Sequence, residues 1–216
     1  MIKTGHKLNI SILYGGASTE HKISIQTGLA IAEAIKDRYN LDMINLDSEI
    51  YNAPQLLVGS DLVFNALHGG DGENGSIQSF LDLHHIPYTG SGAKPCKIAM
   101  DKNITKLIAK SVDIQTPNWI LLKRNQHTGM QLHYNQPSKF SYPYVVKPSS
   151  EGSTFGLTIA REESELEEAI GHASEYGDEI LIEEFIPGRE LTVGILGNKP
   201  LPIVEIKPSR DLYDYK

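Results

Sequence analysis

The chain has 216 residues, 40% hydrophobic and 22% charged, with a formal net charge of −7; that length and balance suit one or two globular domains with a real core. The negative charge argues against a nucleic-acid partner, which calls for a basic footprint, and no apolar run of about 18 residues offers a membrane span. Residues 1–6 lack the apolar stretch of a secretory leader, and the single cysteine, Cys96, allows no intramolecular disulfide and fits a reducing cytoplasm.

Residues 8–14 read as a strand closed by Gly15 and Gly16. A helix is predicted from about Ser24 to Asp37, with Ile25, Gly28, Leu29, Ala32 and Ile35 on one face at three- and four-residue spacing. Strand, glycine turn and helix open a parallel α/β unit, and ligands collect at the carboxyl ends of such strands. Glu20 therefore stands where a substrate is met; in a first helical turn it would serve equally as a dipole partner. Strands at 41–46 and 61–67 follow. The second ends in a polar, glycine-rich loop from His68 to Gly75, before a helix over about 76–84. His68 lies just past the apolar run, left uncovered by its glycines; the alternative is a histidine that caps the strand on backbone. Asp71 and Glu73 lack the EF-hand spacing.

Residues 86–92 read as a short strand and turn. Helical pieces at about 93–99 and 101–110 carry Ile98, Ile104, Leu107 and Ile108, with Asp101 as N-cap and Lys102 in the first turn. Cys96, at an apolar helix start, is either a nucleophile or a small buried hydrophobe, the commoner fate. A strand at 119–122 precedes a polar, irregular surface excursion over 124–141. The β-branched run 144–146 then delivers Lys147 at a strand end. After it comes a loop, 149–156, of hydroxyls and two glycines around Phe155. Glycine lets backbone approach a ligand, successive N–H groups make an anion-binding concavity, and lysine suits phosphate. The loop reads as closing over nucleotide phosphates, or as a plain hairpin loop with a surface lysine; it is not the G-x-x-x-x-G-K-[ST] loop. Residues 157–160 form the return strand. Ser164 and Glu167 make a capping box for a helix running to about Tyr176, before Gly177. Residues 179–186 are a strand with Glu183 and Glu184 at its far end, and 191–196 with 201–206 look like a hairpin around Gly197-Asn198-Lys199.

Taken together these segments resemble a D-alanine–D-alanine ligase, of the ATP-grasp superfamily. The carriers are residues 15–24, Leu67-His68-Gly69 with residues 72–75, Met100-Asp101-Lys102, residues 145–148, 151–156 and 188–193, and Tyr213-Asp214-Tyr215, in the family's order; Asn74 stands where aspartate is as common. The resemblance implies an α/β fold. A parallel α/β N-terminal substrate-binding domain covers 1–98, an α+β ATP-grasp central subdomain covers 99–187, and 188–216 begins an incomplete C-terminal ATP-grasp sheet. It implies ATP-dependent joining of two D-alanines through an acyl phosphate, for peptidoglycan precursor synthesis.

The same resemblance distributes roles. Lys102 and Lys147 bind ATP phosphates. Glu151, Gly152, Ser153 and Thr154 form the covering loop, with Ser153 touching the transferred group or the substrate. Glu183 and Glu184 belong to the nucleotide set, Glu183 on the adenine amino group; backbone near Ile186 meets the ring nitrogen and Glu190 the ribose hydroxyls. Glu20 holds the ammonium of the first D-alanine, and His68 lies against that substrate. Mg²⁺ (or Mn²⁺) serves the complete enzyme, but its ligands and a closing loop would lie past Lys216. The resemblance thus implies a truncated chain, inactive alone, whose 191–206 hairpin leaves an open edge. A homodimer through the N-terminal domain and a cytoplasmic location are further implications. The alternatives are a D-alanine–D-lactate ligase, another ATP-grasp ligase, or a non-catalytic module that binds nucleotide or D-alanine.

Overall fold

The apolar run after Leu8 forms β1 (Asn9–Tyr14), the middle strand of a three-stranded parallel sheet in the order β2–β1–β3, with β2 (Asn40–Asn45) and β3 (Leu62–Asn65). A central parallel strand is covered on both faces, and Ile10, Ser11, Ile12 and Leu13 are all buried. Ile10 and Ile12 meet Ile31, Ala32 and Ile35 of α1 (His21–Ile35) on one side. Leu13 joins Ile44, Val63, Leu67, Ile77 and Leu81 on the other. The computed structural model describes residues 7–46, 54–125, 129–132 and 141–207.

Helix α1 starts earlier than its spacing predicts, at His21, and ends at Ile35. Its inward side runs through Ser24, Gly28, Ala32 and Ile35, as most of the spacing predicts, but not through Leu29, which is 55% exposed. The reason is close approach: a Cβ on Gly28 would lie 2.5 Å from Cβ of Tyr14, so the helix rests on the strand at a residue with no side chain. After β3 the glycine loop contains a single unpredicted turn, α2 (Gly70–Glu73), and then α3 (Ser76–Leu83). The short strand expected at 86–92 reduces to one bridge between Val63 and Tyr88. α4 (Ala93–Met100) and α5 (Lys102–Ser111) follow. Asp101 caps α5 as predicted, its carboxylate accepting from the Ile104 N–H at 3.0 Å, with Lys102 in the first turn.

The chain divides into two units, Met1–Ile108 and Ala109–Lys216. The second is built on an antiparallel sheet ordered β5–β4–β8–β6–β7. Its strands are β4 (Trp119–Asn125), β5 (Gly129–Leu132), β6 (Tyr144–Pro148), β7 (Thr158–Ala160) and β8 (Glu179–Glu184). Helix α6 (Glu163–Ala173) lies on one face and buries Val146, Ala160, Ala169, Ala173, Ile180 and Ile182. Three expectations fail here. Part of the polar stretch after Arg124 is not irregular, since β5 extends the sheet, Leu132 opposite Leu122. The capping box is absent: α6 begins at Glu163 with Glu162 at the N-cap, so Ser164 lies inside the first turn, where its hydroxyl donates to the Glu162 carboxylate at 2.6 Å. The helix stops at Ala173, short of the predicted Tyr176.

The predicted hairpin is present in two tiers. β9 (Glu190–Thr192) pairs with β12 (Val204–Ile206), and β10 (Ile195–Leu196) with β11 (Lys199–Pro200). Leu201 N–H donates to the Gly194 carbonyl at 2.8 Å between them. Among the described residues no helix is long and apolar enough to cross a membrane.

Two glycines in helices should respond oppositely to a methyl group. Gly28→Ala should cost about 1–3 kcal/mol through overpacking against Tyr14. Gly171→Ala in α6, where a Cβ meets nothing within 4 Å, should gain about 0.5–1 kcal/mol from helix propensity. Urea denaturation of both variants checks the pair; equal effects would contradict the close packing of α1 on β1.

Candidate functional site

In the first unit, β1 and β3 run side by side in one direction, so the segments leaving their carboxyl ends meet. The Ser18 hydroxyl donates to the His68 carbonyl at 2.5 Å, and the buried Ser24 hydroxyl donates to the Ala66 carbonyl at 2.8 Å. Glu20, only 9% exposed, occupies the N-cap position of α1 but makes no side-chain capping bond to it. A Cβ on Gly69 would fall 2.8 Å from its Oε2, and Gly69 has φ 63. Only glycine satisfies both the left-handed backbone and the space the carboxylate takes. His68 follows the strand with its ring in reach of two side chains rather than capping backbone: Nε2 lies 2.9 Å from Thr27 Oγ1, and Nδ1 lies 3.9 Å from Glu73 Oε1. Glu20, His68 and Gly69 are thus gathered at one pair of strand ends.

Lys102 stands in the first turn of α5. Cys96 is partly rather than fully buried, its Sγ 3.4 Å from the Ser91 carbonyl. Burial, and then the Glu73 carboxylate, push its thiol up, the opposite of what a nucleophile needs.

In the second unit the face of the sheet away from α6 carries the chemistry. Residues directly opposite one another share a face, and the register sets Glu183 opposite both Val145 and Trp119, and Leu181 opposite both Lys147 and Leu121. The floor is therefore apolar: Trp119, Leu121 and Leu181 are buried. The Lys147 ammonium pairs diagonally across it with the Glu183 carboxylate, which is itself buried. The Lys110 ammonium lies 4.8 Å from the Trp119 ring centroid, a cation–π contact. Glu184 alternates to the other face and takes a hydrogen bond from Asn118 Nδ2 at 3.2 Å, so it does not share the Lys147–Glu183 face. Ile186 and Glu190 follow β8, both exposed, with Glu190 opposite Ile206.

The loop holding Glu151, Gly152, Ser153 and Thr154 starts immediately beyond β6. Its base is fixed by the buried Ser149, whose N–H donates to the Glu179 carbonyl at 2.8 Å. Its far end rests on the segment after α6: a Cβ on Gly156, φ 68, would come 2.8 Å from both Pro148 and Tyr176, and the Phe155 and Tyr176 rings are 6.2 Å apart. Between these anchors Ser153 takes φ 52, unusual for a residue with a side chain. Among the described residues no group of three or more His, Cys, Asp or Glu side chains could hold a metal ion. The described residues therefore do not fit the Mg²⁺ or Mn²⁺ that the resemblance gives to the complete enzyme.

Sequence reading missed Trp119 and Thr27. Trp119 is the chain's single tryptophan, a signal that could have been used. Thr27 reads only as one more residue of a helix.

Comparison with known proteins places this arrangement. A ligase from Bacillus anthracis, solved as "D-alanine--D-Alanine Ligase … complexed with ATP", superposes with a TM-score of 0.82 at 35% identity, over 94% of this chain and 67% of that one. The fold is that of the ATP-grasp ligases. Residues 108–216 match the family model "D-ala D-ala ligase C-terminus" and residues 47–91 match "D-ala D-ala ligase N-terminus". The D-alanine–D-alanine ligase of Halalkalibacterium halodurans is 41% identical over 97% of this chain, and that of Syntrophotalea carbinolica 40% identical over 96%. The chain belongs to the D-alanine–D-alanine ligase family. It spans 68% and 66% of the length of those two relatives.

Removing the Lys147 cation from the sheet face takes a paired charge away from the buried Glu183 carboxylate. Lys147→Met should lower stability by about 2–3 kcal/mol, and adding Glu183→Gln should recover roughly half of that. Denaturant titration of the single and double variants measures both; additive losses would show that the two side chains do not depend on each other.

Proposed function

We propose that this chain carries nucleotide- and D-alanine-binding machinery for the ATP-dependent joining of two D-alanines to D-alanyl-D-alanine, a peptidoglycan precursor. Family membership supports the reaction class. The observation that carries the nucleotide part is the Lys147–Glu183 pair on an apolar sheet face beside Trp119, with a glycine-containing loop starting at the lysine's strand end. A flat apolar floor accepts a purine, a carboxylate accepts from its amino group, and an ammonium suits phosphate oxygens. In this reading Lys147 and Lys102 are the cations for ATP phosphates. Glu151, Gly152, Ser153 and Thr154 cover the transferred group, Glu183 takes the adenine amino group, and backbone at Ile186 meets the ring. Glu190 takes the ribose hydroxyls, and Glu184 shapes the strand end through Asn118. The three-part division at 1–98, 99–187 and 188–216 belongs to the same reading.

The substrate part rests on Glu20 and His68. Glu20 accepts hydrogen bonds from the ammonium of the first D-alanine, and His68 lies against that substrate. The D-alanine carboxylate oxygen then attacks the γ-phosphorus, the bond to the ADP oxygen breaks, and an acyl phosphate forms. The second D-alanine, once its ammonium has lost a proton, attacks the acyl carbon, and phosphate leaves with the electrons of the broken C–O bond. The chain's contribution to these steps is position and charge, together with shielding of the acyl phosphate from water by the 149–156 loop.

Isothermal titration with ATP and with D-alanine separates the two parts. Lys147→Ala should weaken ATP binding about ten- to a hundredfold, the loss of one charge-assisted contact, and leave D-alanine affinity within about twofold. Glu20→Gln should do the reverse. Equal losses for both ligands in either variant, with circular dichroism showing each folded, would contradict the assignment.

A further inference from the structure

The middle of α1 makes a contact that the roles above do not use. The Thr27 hydroxyl lies 2.9 Å from Nε2 of His68, 41 residues away. A threonine hydroxyl inside a helix commonly turns back to its own helix; here it reaches another segment. Its backbone is pinned where it stands. The next residue, Gly28, rests on Tyr14, and one turn earlier Ser24 donates to the Ala66 carbonyl at 2.8 Å. Ser18 holds the carbonyl of His68 itself at 2.5 Å. Three hydroxyls from residues 18–27 thus converge on residues 66–68: two fix the backbone, and Thr27 reaches the imidazole. On the ring's other edge Nδ1 faces Glu73 Oε1 at 3.9 Å.

We infer that Thr27 is a positioning residue for His68, setting the ring's orientation and tautomer through the hydrogen bond at Nε2. The carboxylate beside Nδ1 favours the neutral ring's proton there, which leaves Nε2 to accept from the Thr27 hydroxyl. Held by a hydrogen bond at Nε2 and facing a carboxylate across 3.9 Å at Nδ1, the ring presents a constant edge to whatever lies against it. The substrate consequence rests on the reading that His68 lies against the first D-alanine; the tautomer does not.

The test uses chain labelled with ¹⁵N-histidine at alkaline pH, where long-range proton–nitrogen spectra show which ring nitrogen carries the proton. Wild type and Thr27→Ser should show His68 as a single tautomer with the proton on Nδ1. Thr27→Val, which keeps the shape and removes the hydroxyl, should show a mixture. D-alanine affinity should fall about three- to tenfold in Thr27→Val, the loss of one hydrogen bond's ordering, and return in Thr27→Ser, with ATP affinity unchanged in both. If Thr27→Val does not fold, Thr27→Ala takes its place. A Val or Ala variant that keeps the wild-type tautomer and D-alanine affinity overturns the role, as does a Ser variant that fails to restore them. If the wild-type His68 signals do not respond to D-alanine, the reading of His68 against that substrate falls and takes the affinity effect with it; if they respond and the variants are unchanged, only Thr27 is overturned.

Discussion

Glu183 is taken out of water by the sheet that carries it, and a buried carboxylate holds only where a cation or donors meet it. Much of the second unit can be read from that requirement. The antiparallel register of β6 and β8 sets Lys147 diagonal to Glu183 on one face. The opposite face is closed by α6, whose alanines at 169 and 173 let it lie close. Lys147 is also near the last residue of its strand, so the cation that neutralises the sheet's buried charge sits at the root of the loop. In the proposed function a nucleotide offers each member of this pair a replacement partner, an amino group for Glu183 and phosphate for Lys147.

The first unit answers a different constraint. Parallel strands deliver loops to one edge, but a loop of glycines has no rigidity of its own. Rigidity comes from hydroxyls at Ser18, Ser24 and Thr27, which tie the start of α1 to the backbone and ring of residues 66–68. Asn65 and Gln78 add two donors to the Gly72 carbonyl, at 2.9 and 2.8 Å, and so hold the loop's far side. Glu20, at the N-cap position, makes no side-chain bond that caps its own helix.

Much of this was legible in the residues. The apolar runs of β1, β3, β6 and β8 announce buried strands, and Asp101 announces the start of α5 because its short side chain caps the Ile104 N–H. What was not legible depended on element boundaries or on distance. The capping box at Ser164 failed because the helix starts earlier, at Glu163, which leaves Ser164 inside the first turn. Strand β5 was invisible because it lies in a polar stretch and exists through pairing with β4. Leu29 looked like core because spacing counts apolar residues, whereas packing of α1 was decided by the missing side chain of Gly28. The Lys147–Glu183 pair and the Thr27–His68 contact are products of sheet register and helix docking, which no local pattern encodes.

Trp119, directly opposite Glu183 in the sheet and the only tryptophan in the chain, reports on the face where the nucleotide is proposed to lie. Its fluorescence during an ATP titration is the most direct measurement. A base settling on that face should produce a saturable change in emission that disappears in Glu183→Ala. Emission that stays constant while calorimetry registers ATP binding, or that changes identically in the variant, would put the nucleotide elsewhere.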